Sequence, residues 1–233
     1  MRLRVTFAKS GALRYTGHLD LQTIWERSVR RAALPLAYTH GFHPGPKIQI
    51  ASALPLGYAG RAEIVDVWLD TDPGDRDEMQ KRLQAGSPPG LTILSLEAVD
   101  EHGPALQTQV VSAEYMVTLL EAVSRSDLER RVGNLLAAES LPRERRGKAY
   151  NLRPLVEELT VVSPPVHAAS SSRGKPRETS PGMPGEGQAL KIFMRLAARE
   201  AATGRPEEVL DVLGIPFETT RIERTRLILT STA

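Results

Sequence analysis

The sequence contains no cysteine among its 233 residues. It therefore has no disulfide, no thiolate nucleophile, no iron–sulfur cluster bound by its own side chains and no Cys-ligated zinc site. No apolar run reaches the roughly 18 residues that a membrane helix needs. The alternating N-terminus, MRLRVTFAKSG, lacks the apolar core of a signal peptide. These absences predict a cytoplasmic protein without membrane contact.

Motifs of the common enzyme classes are absent as well. The chain has no GxxxxGK(S/T) phosphate loop, no GxGxxG fingerprint, no GxSxG nucleophile turn and no HExxH zinc motif. With four Phe, five Tyr and two Trp, several of them needed for cores, aromatic platforms for a ligand are scarce. The sequence predicts no cofactor, no metal and no catalytic residue, and it favours a binding protein over an enzyme.

The net charge is only +2, but the charges are distributed unevenly along the chain. Residues 1–50 carry eight basic and two acidic side chains, whereas residues 51–103 carry four basic and ten acidic ones. The segment Arg143–Arg153 has five basic residues and one acid. Local basic surfaces on a nearly neutral protein indicate an anionic partner, although solvated charged faces explain the same pattern.

Hydrophobic periodicity in the first hundred residues predicts a β-α-β-β-α-β order. Arg2–Ala8 alternates as a half-buried strand does, and Leu21, Trp25 and Ser28 lie on one stripe of an amphipathic helix. The predicted strands are 2–8, 34–38, 61–70 and 91–98, with 48–53 pairing briefly with 34–38, and the predicted helices are 17–32 and 75–85. This order is the split arrangement of a ferredoxin-like domain.

The second half of the chain predicts the same order of elements without repeating the sequence. The predicted strands are 115–120, 145–152, 155–162, 190–196 and 219–230, and the predicted helices are 124–138 and 206–214. Residues 163–187 are rich in Pro, Ser and Gly, which predicts a disordered or mobile insertion. We therefore predict an α+β protein of two ferredoxin-like domains in tandem with antiparallel sheets, residues 1–103 and 110–233.

The most distinctive stretch runs from Gly17 to Gly57. It holds a helix with a basic C-terminal end and a loop, Gly41–Lys47, of sequence GFHPGPK. Its two prolines have their own φ fixed at about −65°, and its two glycines permit positive φ, so this loop is expected to hold a defined shape. Loops with a defined shape often carry function.

Three histidines, His18, His40 and His43, lie in or beside this stretch. Imidazoles from neighbouring loops bind metals, but their spacing matches no metal motif. General acid–base work by His18 or His43, as in RNA cleavage through the 2′-hydroxyl, fits equally well. Surface contacts and local backbone hydrogen bonds are the commoner roles of such residues.

Two groups of basic residues are candidates for contact with RNA. The first group, Arg14, Arg30, Arg31 and Lys47, belongs to one small predicted domain. The second group lies beside Tyr150 and consists of Arg143, Arg145, Arg146, Lys148 and Arg153. Basic side chains next to an exposed ring suit RNA, because they neutralise phosphates while bases stack on the ring.

The stretch RYTGHLDLQTIWERSVRRAALPLAYTHGFHPGPKIQIASALPLG resembles the radical-SAM-linked family of unknown function, whose members are fused to, or encoded beside, cobalamin-binding radical SAM proteins. The matching residues are His18-Leu19-Asp20, Arg30-Arg31-Ala32, Leu34-Pro35, Gly41-Phe42, Pro44, Pro46-Lys47 and Ala53–Gly57, with weaker matches at 151–155, 205–208 and 224–227. The chain departs from the family pattern at His43, Gly45 and Asn151. The resemblance implies a radical SAM partner.

Together these observations predict a non-catalytic RNA-binding accessory module that works with a radical SAM partner in RNA modification or processing. The predicted RNA-binding residues are Arg14, His18, Asp20, Arg30, Arg31, Phe42, His43, Lys47, Lys148 and Arg153. Two alternatives stay open, namely an RNA endonuclease-like enzyme that uses His18 or His43, and a protein–protein adaptor whose basic faces meet an acidic partner.

Overall fold

The computed structural model describes residues 1–162 and 189–230 as a mixed α+β protein with a large, mostly antiparallel sheet. The described helices are α1 His18–Arg31, α2 Arg76–Gly86, α3 Leu106–Gln109, α4 Arg125–Ala137 and α5 Pro206–Val212. The described strands are β1 Arg2–Lys9, β2 Ile48–Ile50, β3 Ala59–Trp68, β4 Leu91–Val99, β5 Val110–Leu119, β6 Pro142–Arg145, β7 Lys148–Asn151, β8 Val156–Val162, β9 Lys191–Arg199, β10 Ala202–Thr203 and β11 Thr220–Leu229. The predicted α+β class is confirmed. The predicted insertion, 163–187, lies outside the described residues.

The chain divides into two compact units. The first contains Met1–Glu114, Ala197–Thr203 and the residues from Glu223 onward, and the second contains Tyr115–Leu196 and Gly204–Ile222. Because β5, β9 and β11 cross these bounds, each of them contributes residues to both units.

The strands of the first unit follow the order β4-β1-β3-β2, and every one of these pairs is antiparallel. β2 lies beside the C-terminal half of β3, where Ile50 is opposite Val65. β11 lies beside the start of β3 and runs parallel to it, with Arg224 opposite Gly60. The helices α1 and α2 connect the strands in the order that the sequence predicted.

The second strand of this unit is β2, not the predicted segment 34–38. That segment makes only isolated bridges, Leu36 with Leu69 and Tyr38 with Pro46. Pro35 has no N–H to donate to a strand ladder, which disfavours a regular strand there, and it contributes only its carbonyl, which accepts from the Asp70 N–H at 2.9 Å. The prediction of a strand at 34–38 was therefore wrong. The predicted pairing of 48–53 with 34–38 was also wrong, because Ile48–Ile50 pairs with β3.

One face of the sheet in the first unit carries a hydrophobic core. Leu3, Val5 and Phe7 of β1 point to this face and are buried, as their alternation predicted. Trp25 of α1 is fully buried, and its ring meets the ring of Phe7 edge-on with centroids 4.8 Å apart. Burial of one such side chain stabilises the fold by roughly 1.5–3 kcal/mol. The stripe that includes Trp25 therefore fixes which face of α1 stays exposed.

A cluster of three buried charges lies at one end of this core. Lys9 continues the inward face of β1 and donates from Nζ to the carbonyl of Thr16 at 2.8 Å. Arg224 donates from Nε to Oε1 of Glu63 at 2.8 Å, and the two side chains are 2% and 3% exposed. Burial lowers the pKa of Lys9, although the negative charge of Glu63 acts in the opposite direction. Arg224 also donates to the carbonyl of Ser52 at 2.9 Å, so the cluster anchors the segment after β2.

The end strand β4 is bonded along its free side by two glutamines of α2. The Gln84 side chain accepts from the Ile93 N–H at 2.8 Å and donates to the Leu91 carbonyl at 3.1 Å. Gln80 donates to the carbonyls of Ile93 and Leu94 at 3.3 and 3.2 Å. The side-chain amides thus form hydrogen bonds with N–H and carbonyl groups of β4 that would otherwise be free to pair with a further strand.

The second unit has the strand order β8-β9-β5-β11. β8 and β9 are antiparallel, with Leu159 opposite Met194. The predicted strand 145–152 is confirmed only at Lys148–Asn151, which is β7, and was wrong at its start, because the chain turns at 146–147 and forms a hairpin with β6. Arg146 and Gly147 adopt φ values of 52° and 75°, which reverse the chain between the two short strands.

Candidate nucleic-acid interface

The exposed face of α1 in the first unit carries four of the ten predicted RNA-binding residues. The helix buries Leu21, Trp25, Ser28 and Val29, so the side chains between these positions face solvent. His18 and Asp20 are exposed in its first turn, and Arg30 and Arg31 are exposed in its last turn. The amphipathic pattern alone sets this arrangement.

Three arginines at the C-terminal end of α1 line a cavity of about 430 Å³. They are Arg27, Arg30 and Arg31, whose spacing of three and four residues places them on neighbouring positions of the helix. Arg30 approaches Glu26 only to 3.9 Å. Within the described residues, neither Arg27 nor Arg31 makes a hydrogen bond or an ion pair. The cavity therefore presents positive charge that the protein itself does not neutralise.

A fourth arginine explains why these three remain available. Cations at a helix C-terminus commonly serve the helix by meeting its last carbonyl groups. Here Arg82 of α2 does so, since its Nη2 donates to the carbonyls of Ala32 and, at 2.7 Å, Ala33. The close approach of the two helices depends on Gly86, where a Cβ would lie 2.8 Å from the carbonyl oxygen of Ser28.

The predicted loop, Gly41–Lys47, is closed by hydrogen bonds between Thr39 and Gly45. The Thr39 N–H donates to the Gly45 carbonyl at 2.8 Å, and the Gly45 N–H donates to Oγ1 of Thr39 at 3.0 Å. At the tip, Phe42 is fully exposed and His43 is exposed. Just before the base, the Tyr38 hydroxyl donates to Glu26 of α1 at 3.4 Å. The loop thus starts beside the same turn of α1 from which the arginine cavity begins.

Lys47 closes this loop and is fixed through its backbone. Its N–H donates to the Ala37 carbonyl at 2.9 Å, and its carbonyl accepts from the Trp68 N–H at 3.0 Å. The side chain is half-buried and makes no hydrogen bond or ion pair with any residue in the described ranges. Its ammonium group is a further uncompensated positive charge of the first unit.

Arg14, His18 and Asp20 lie at the opposite end of α1 from Arg30 and Arg31. At a rise of about 1.5 Å per residue, His18 and Arg31 are separated by roughly 20 Å along the helix. Arg14 is engaged with its neighbour Tyr15, to whose hydroxyl it donates at 2.7 Å. The predicted residues of this unit therefore form two groups and do not converge on one point.

Exposed apolar side chains surround this N-terminal end of α1. Tyr15, Leu19 and Leu56 are 62%, 76% and 62% exposed. A Cβ at Gly57, beside Leu56, would lie 3.9 Å from the ring of Tyr15, which places the segment after β2 against the turn before α1. Apolar groups exposed near one another are typical of a protein contact.

The described residues contain no group of three His, Cys, Asp or Glu side chains that could hold a metal ion. His18 and His43 are exposed, and within the described ranges neither has a hydrogen-bond partner or an ion pair. Within residues 1–162 and 189–230, no acid or base hydrogen-bonds to either imidazole, whereas an activated catalytic histidine is oriented by such a partner.

The second unit contains the other two predicted residues, Lys148 and Arg153. Lys148 is exposed at the turn of the β6–β7 hairpin. Arg153 is used inside the unit, since its guanidinium donates to the carbonyls of Leu136 at 3.0 Å and Val156 at 3.0 Å. Leu136 lies in the last turn of α4, so Arg153 holds a helix end in place.

Sequence reasoning missed Arg27 and Arg82. The signal for Arg27 was present, because it precedes Arg30 and Arg31 by three and four residues, the spacing of one helix face. Arg82 carried no such signal, because its role depends on the packing of α2 against the end of α1.

The described residues define an α+β protein with a basic, solvent-open cavity in its first unit and no helix that is long and apolar enough to cross a membrane. Residues 2–203 match the family described as "Uncharacterized protein conserved in bacteria (DUF2344)", and the chain belongs to that family. The expected membership in a family of unknown function is confirmed. The description names no radical SAM protein, so that partner stays a prediction.

No curated protein matches the chain. Among solved structures, the chain is similar to one described as "Crystal Structure of a Cbf5-Nop10-Gar1 Complex", with 10% sequence identity and a TM-score of 0.47. The match covers 97% of this chain and 48% of that chain, so this chain spans about half the length of that structure's chain. An identity and a TM-score this low carry no argument about function.

Proposed function

We propose that this protein is a non-catalytic RNA-binding module that serves a larger partner, a radical SAM protein, in RNA modification or processing. The observation that carries the RNA-binding role is the cavity lined by Arg27, Arg30 and Arg31. Guanidinium groups bind phosphate oxygens with paired hydrogen bonds. Since Arg82 already meets the carbonyl end of α1, the guanidinium groups of Arg27 and Arg31 are left for an external anion, and Arg30 makes only a long ion pair with Glu26 at 3.9 Å.

The loop that follows Tyr38, whose hydroxyl donates to Glu26 of α1, favours RNA over a small anion as the ligand. Phe42 stands fully exposed on a loop whose base is closed by hydrogen bonds between Thr39 and Gly45. An exposed ring beside phosphate-binding side chains suits an unpaired base, which stacks while its backbone is neutralised. Lys47 adds a positive charge where the loop ends. In this proposal one RNA-binding site is formed by the predicted residues Arg30, Arg31, Phe42, His43 and Lys47 together with Arg27.

We further propose that each of the two units is a ferredoxin-like domain and that the protein works in the cytoplasm. The sequence predicted tandem domains at 1–103 and 110–233, whereas the first unit also takes in Ala197–Thr203 and the residues from Glu223 onward. The strand order β4-β1-β3-β2 of the first unit, with helices after its first and third strands, supports the first assignment. The order β11-β5-β9-β8 of the second unit supports the second. Sheets of this type commonly present a face or a loop edge to RNA.

The test is binding of a fluorescent oligouridylate of about 20 nucleotides, longer than the site of one small module. The double variant Arg27→Gln, Arg31→Gln removes two phosphate contacts and leaves the core untouched. Its slope of log affinity against log salt should be shallower than that of the wild type by about 1.4, or 0.7 for each phosphate of a single strand. Fluorescence anisotropy at several salt concentrations measures both values.

The matched control is Arg61→Gln, because Arg61 is 62% exposed but is paired with Glu223 at 2.6 Å. Its salt slope should equal that of the wild type. If the wild type binds neither oligouridylate nor a duplex RNA, RNA binding is refuted. If it binds and the double variant binds equally well, the RNA site lies elsewhere on the protein.

A protein–protein adaptor is the second candidate, favoured by the exposed Tyr15, Leu19 and Leu56. Affinity purification of the tagged protein would recover a stoichiometric protein and no RNA in that case, and Leu19→Ser would release it. RNA cleavage by the purified protein that is abolished in His18→Ala would instead identify the endonuclease alternative.

A further inference from the structure

The hairpin of β6 and β7 in the second unit has a rigid, anchored base. At this base, Asn151 accepts at Oδ1 from the N–H groups of Leu141 at 2.8 Å and Arg153 at 3.0 Å. These bonds tie both ends of the hairpin together where it leaves the rest of the unit. The four pairs of the ladder run from Pro142 opposite Asn151 to Arg145 opposite Lys148.

Two ion pairs fix the same hairpin to α5. Arg143 pairs with Asp211 at 2.9 Å, and Arg145 donates from Nη2 to both carboxylate oxygens of Glu208 at 2.7 Å. The Arg145 guanidinium also lies 5.0 Å from the ring centre of Tyr150. Glu208 raises the pKa of Arg145 against the opposing effect of burial. These arginines are structural, and their charges are matched by acids of the same unit.

The tip of the hairpin carries two cations that, unlike Arg143 and Arg145, are not paired with an acid in the part of the chain that the structure describes. Arg146 and Lys148 are exposed, and neither has a hydrogen bond or an ion pair within the described residues. The two side chains flank Gly147 at the point where the chain reverses. The acids of α5 thus neutralise Arg143 and Arg145 on the first strand of the hairpin, and two cations remain at its tip.

The backbone of Arg146 points to a role for its side chain. Its φ of 52° lies in the left-handed region, which asparagine and glycine adopt far more readily than arginine. The sequence Asn-Gly is the favoured pair for such a two-residue turn. Arginine therefore occupies this position at a conformational cost, which the geometry of the turn does not explain. Backbone strain of this kind is often found at functional positions.

We propose that Arg146 and Lys148 form a second phosphate-binding site, in which the hairpin presents two cations to adjacent phosphates of RNA. This inference rests on the proposed RNA-binding function for the identity of the ligand, but it uses residues that the arginine cavity does not. The anchored base matters because the hairpin backbone does not have to order when RNA binds, so that only the two side chains lose freedom.

The decisive variant is Arg146→Asn, which removes the charge and supplies the residue that the turn prefers. Its melting temperature should equal or exceed that of the wild type, because the left-handed residue is no longer strained. Its slope of log affinity against log salt for the oligouridylate probe should be shallower by about 0.7, and that of Arg146→Asn, Lys148→Gln by about 1.4. A gain in stability together with a loss of binding is a combination that a purely structural role does not produce.

Arg130→Gln is the matched control, since Arg130 is 63% exposed on α4 of the same unit but is paired with Asp127. Its slope should not change. If the wild type binds the probe while the double tip variant keeps its slope, the tip site is refuted and the proposed function stands. An equal loss in Arg130→Gln would also refute the site, because only general charge would then matter. If the wild type binds no RNA, both proposals fail together.

Discussion

The buried charge cluster of Lys9, Glu63 and Arg224 permits a strong test of how the first unit is stabilised. Glu63→Gln keeps the shape of the side chain but removes its charge, which leaves Arg224 and Lys9 as two buried cations without a counter-charge. Removing one partner of a buried ion pair costs about 3–5 kcal/mol. Because Glu63 and Arg224 are only 3% and 2% exposed, water does not replace the lost carboxylate. That loss is a large part of the 5–15 kcal/mol by which a domain is typically stable.

Urea denaturation followed by tryptophan fluorescence measures this loss in the right place. The two tryptophans of the sequence, Trp25 and Trp68, both belong to the first unit. With a slope of about 2 kcal/mol per molar urea, the midpoint should fall by about 1.5–2.5 M. The control Glu97→Gln changes an exposed carboxylate on β4 and should shift the free energy of unfolding by less than about 0.5 kcal/mol. A loss below about 1 kcal/mol in Glu63→Gln would show that the cluster is not desolvated.

Two further predictions concern the turn before α2 and the base of the β6–β7 hairpin. Arg76, which donates two hydrogen bonds to Asp72 at 2.7 and 2.8 Å, is the main cause that lowers the pKa of Asp72 to about 2. Carboxyl-carbon NMR should show the pKa of Asp72 rise toward 3.8 in Arg76→Gln. Because the pKa of Asp72 is lower in the folded protein than in the unfolded protein, the stabilisation by Asp72 is complete above about pH 4 and is lost as the pH falls through about 2. An unchanged midpoint would contradict this assignment. In the second unit, Asn151→Ala should speed hydrogen exchange at the N–H groups of Leu141 and Arg153, whereas Asn151→Asp should not, because a carboxylate accepts the same two bonds. Equally fast exchange in the two variants would mean that Oδ1 does not hold the hairpin.

Regular periodicity made much of the first unit predictable. The alternation around Val5 and Phe7 and the stripe through Trp25 each point to one buried face, and burial then fixes the element. Prediction failed where single backbone positions decide the outcome. Pro35 interrupts a stretch of strand-forming residues, and Gly147 turns a predicted strand into a hairpin. Such residues change the path of the chain without changing its hydrophobic pattern.

The candidate site was predictable in part, for a related reason. Sequence shows where cations lie, but it does not show which of them are already neutralised. The sequence pattern groups Arg145 and Arg153 with Lys148 as binding residues. In the folded unit, however, Arg145 is paired with Glu208, and Arg153 donates to the end of α4. The acid that pairs with Arg224 lies 161 residues away along the chain, so no local pattern reveals it. Only Arg27, three residues before Arg30, was visible in the local pattern and missed.

The glutamines of α2 that bond to β4 have a consequence for the behaviour of the protein at high concentration. A bare strand at the end of a sheet invites the strand of another molecule, and such pairing propagates into aggregates. Gln84 imitates a neighbouring strand by offering one donor and one acceptor to the backbone between Leu91 and Ile93, and Gln80 covers the carbonyls that follow. Replacing both by alanine would leave the hydrophobic core intact and expose a template for intermolecular association. The helix thus shields the sheet it packs on from self-assembly.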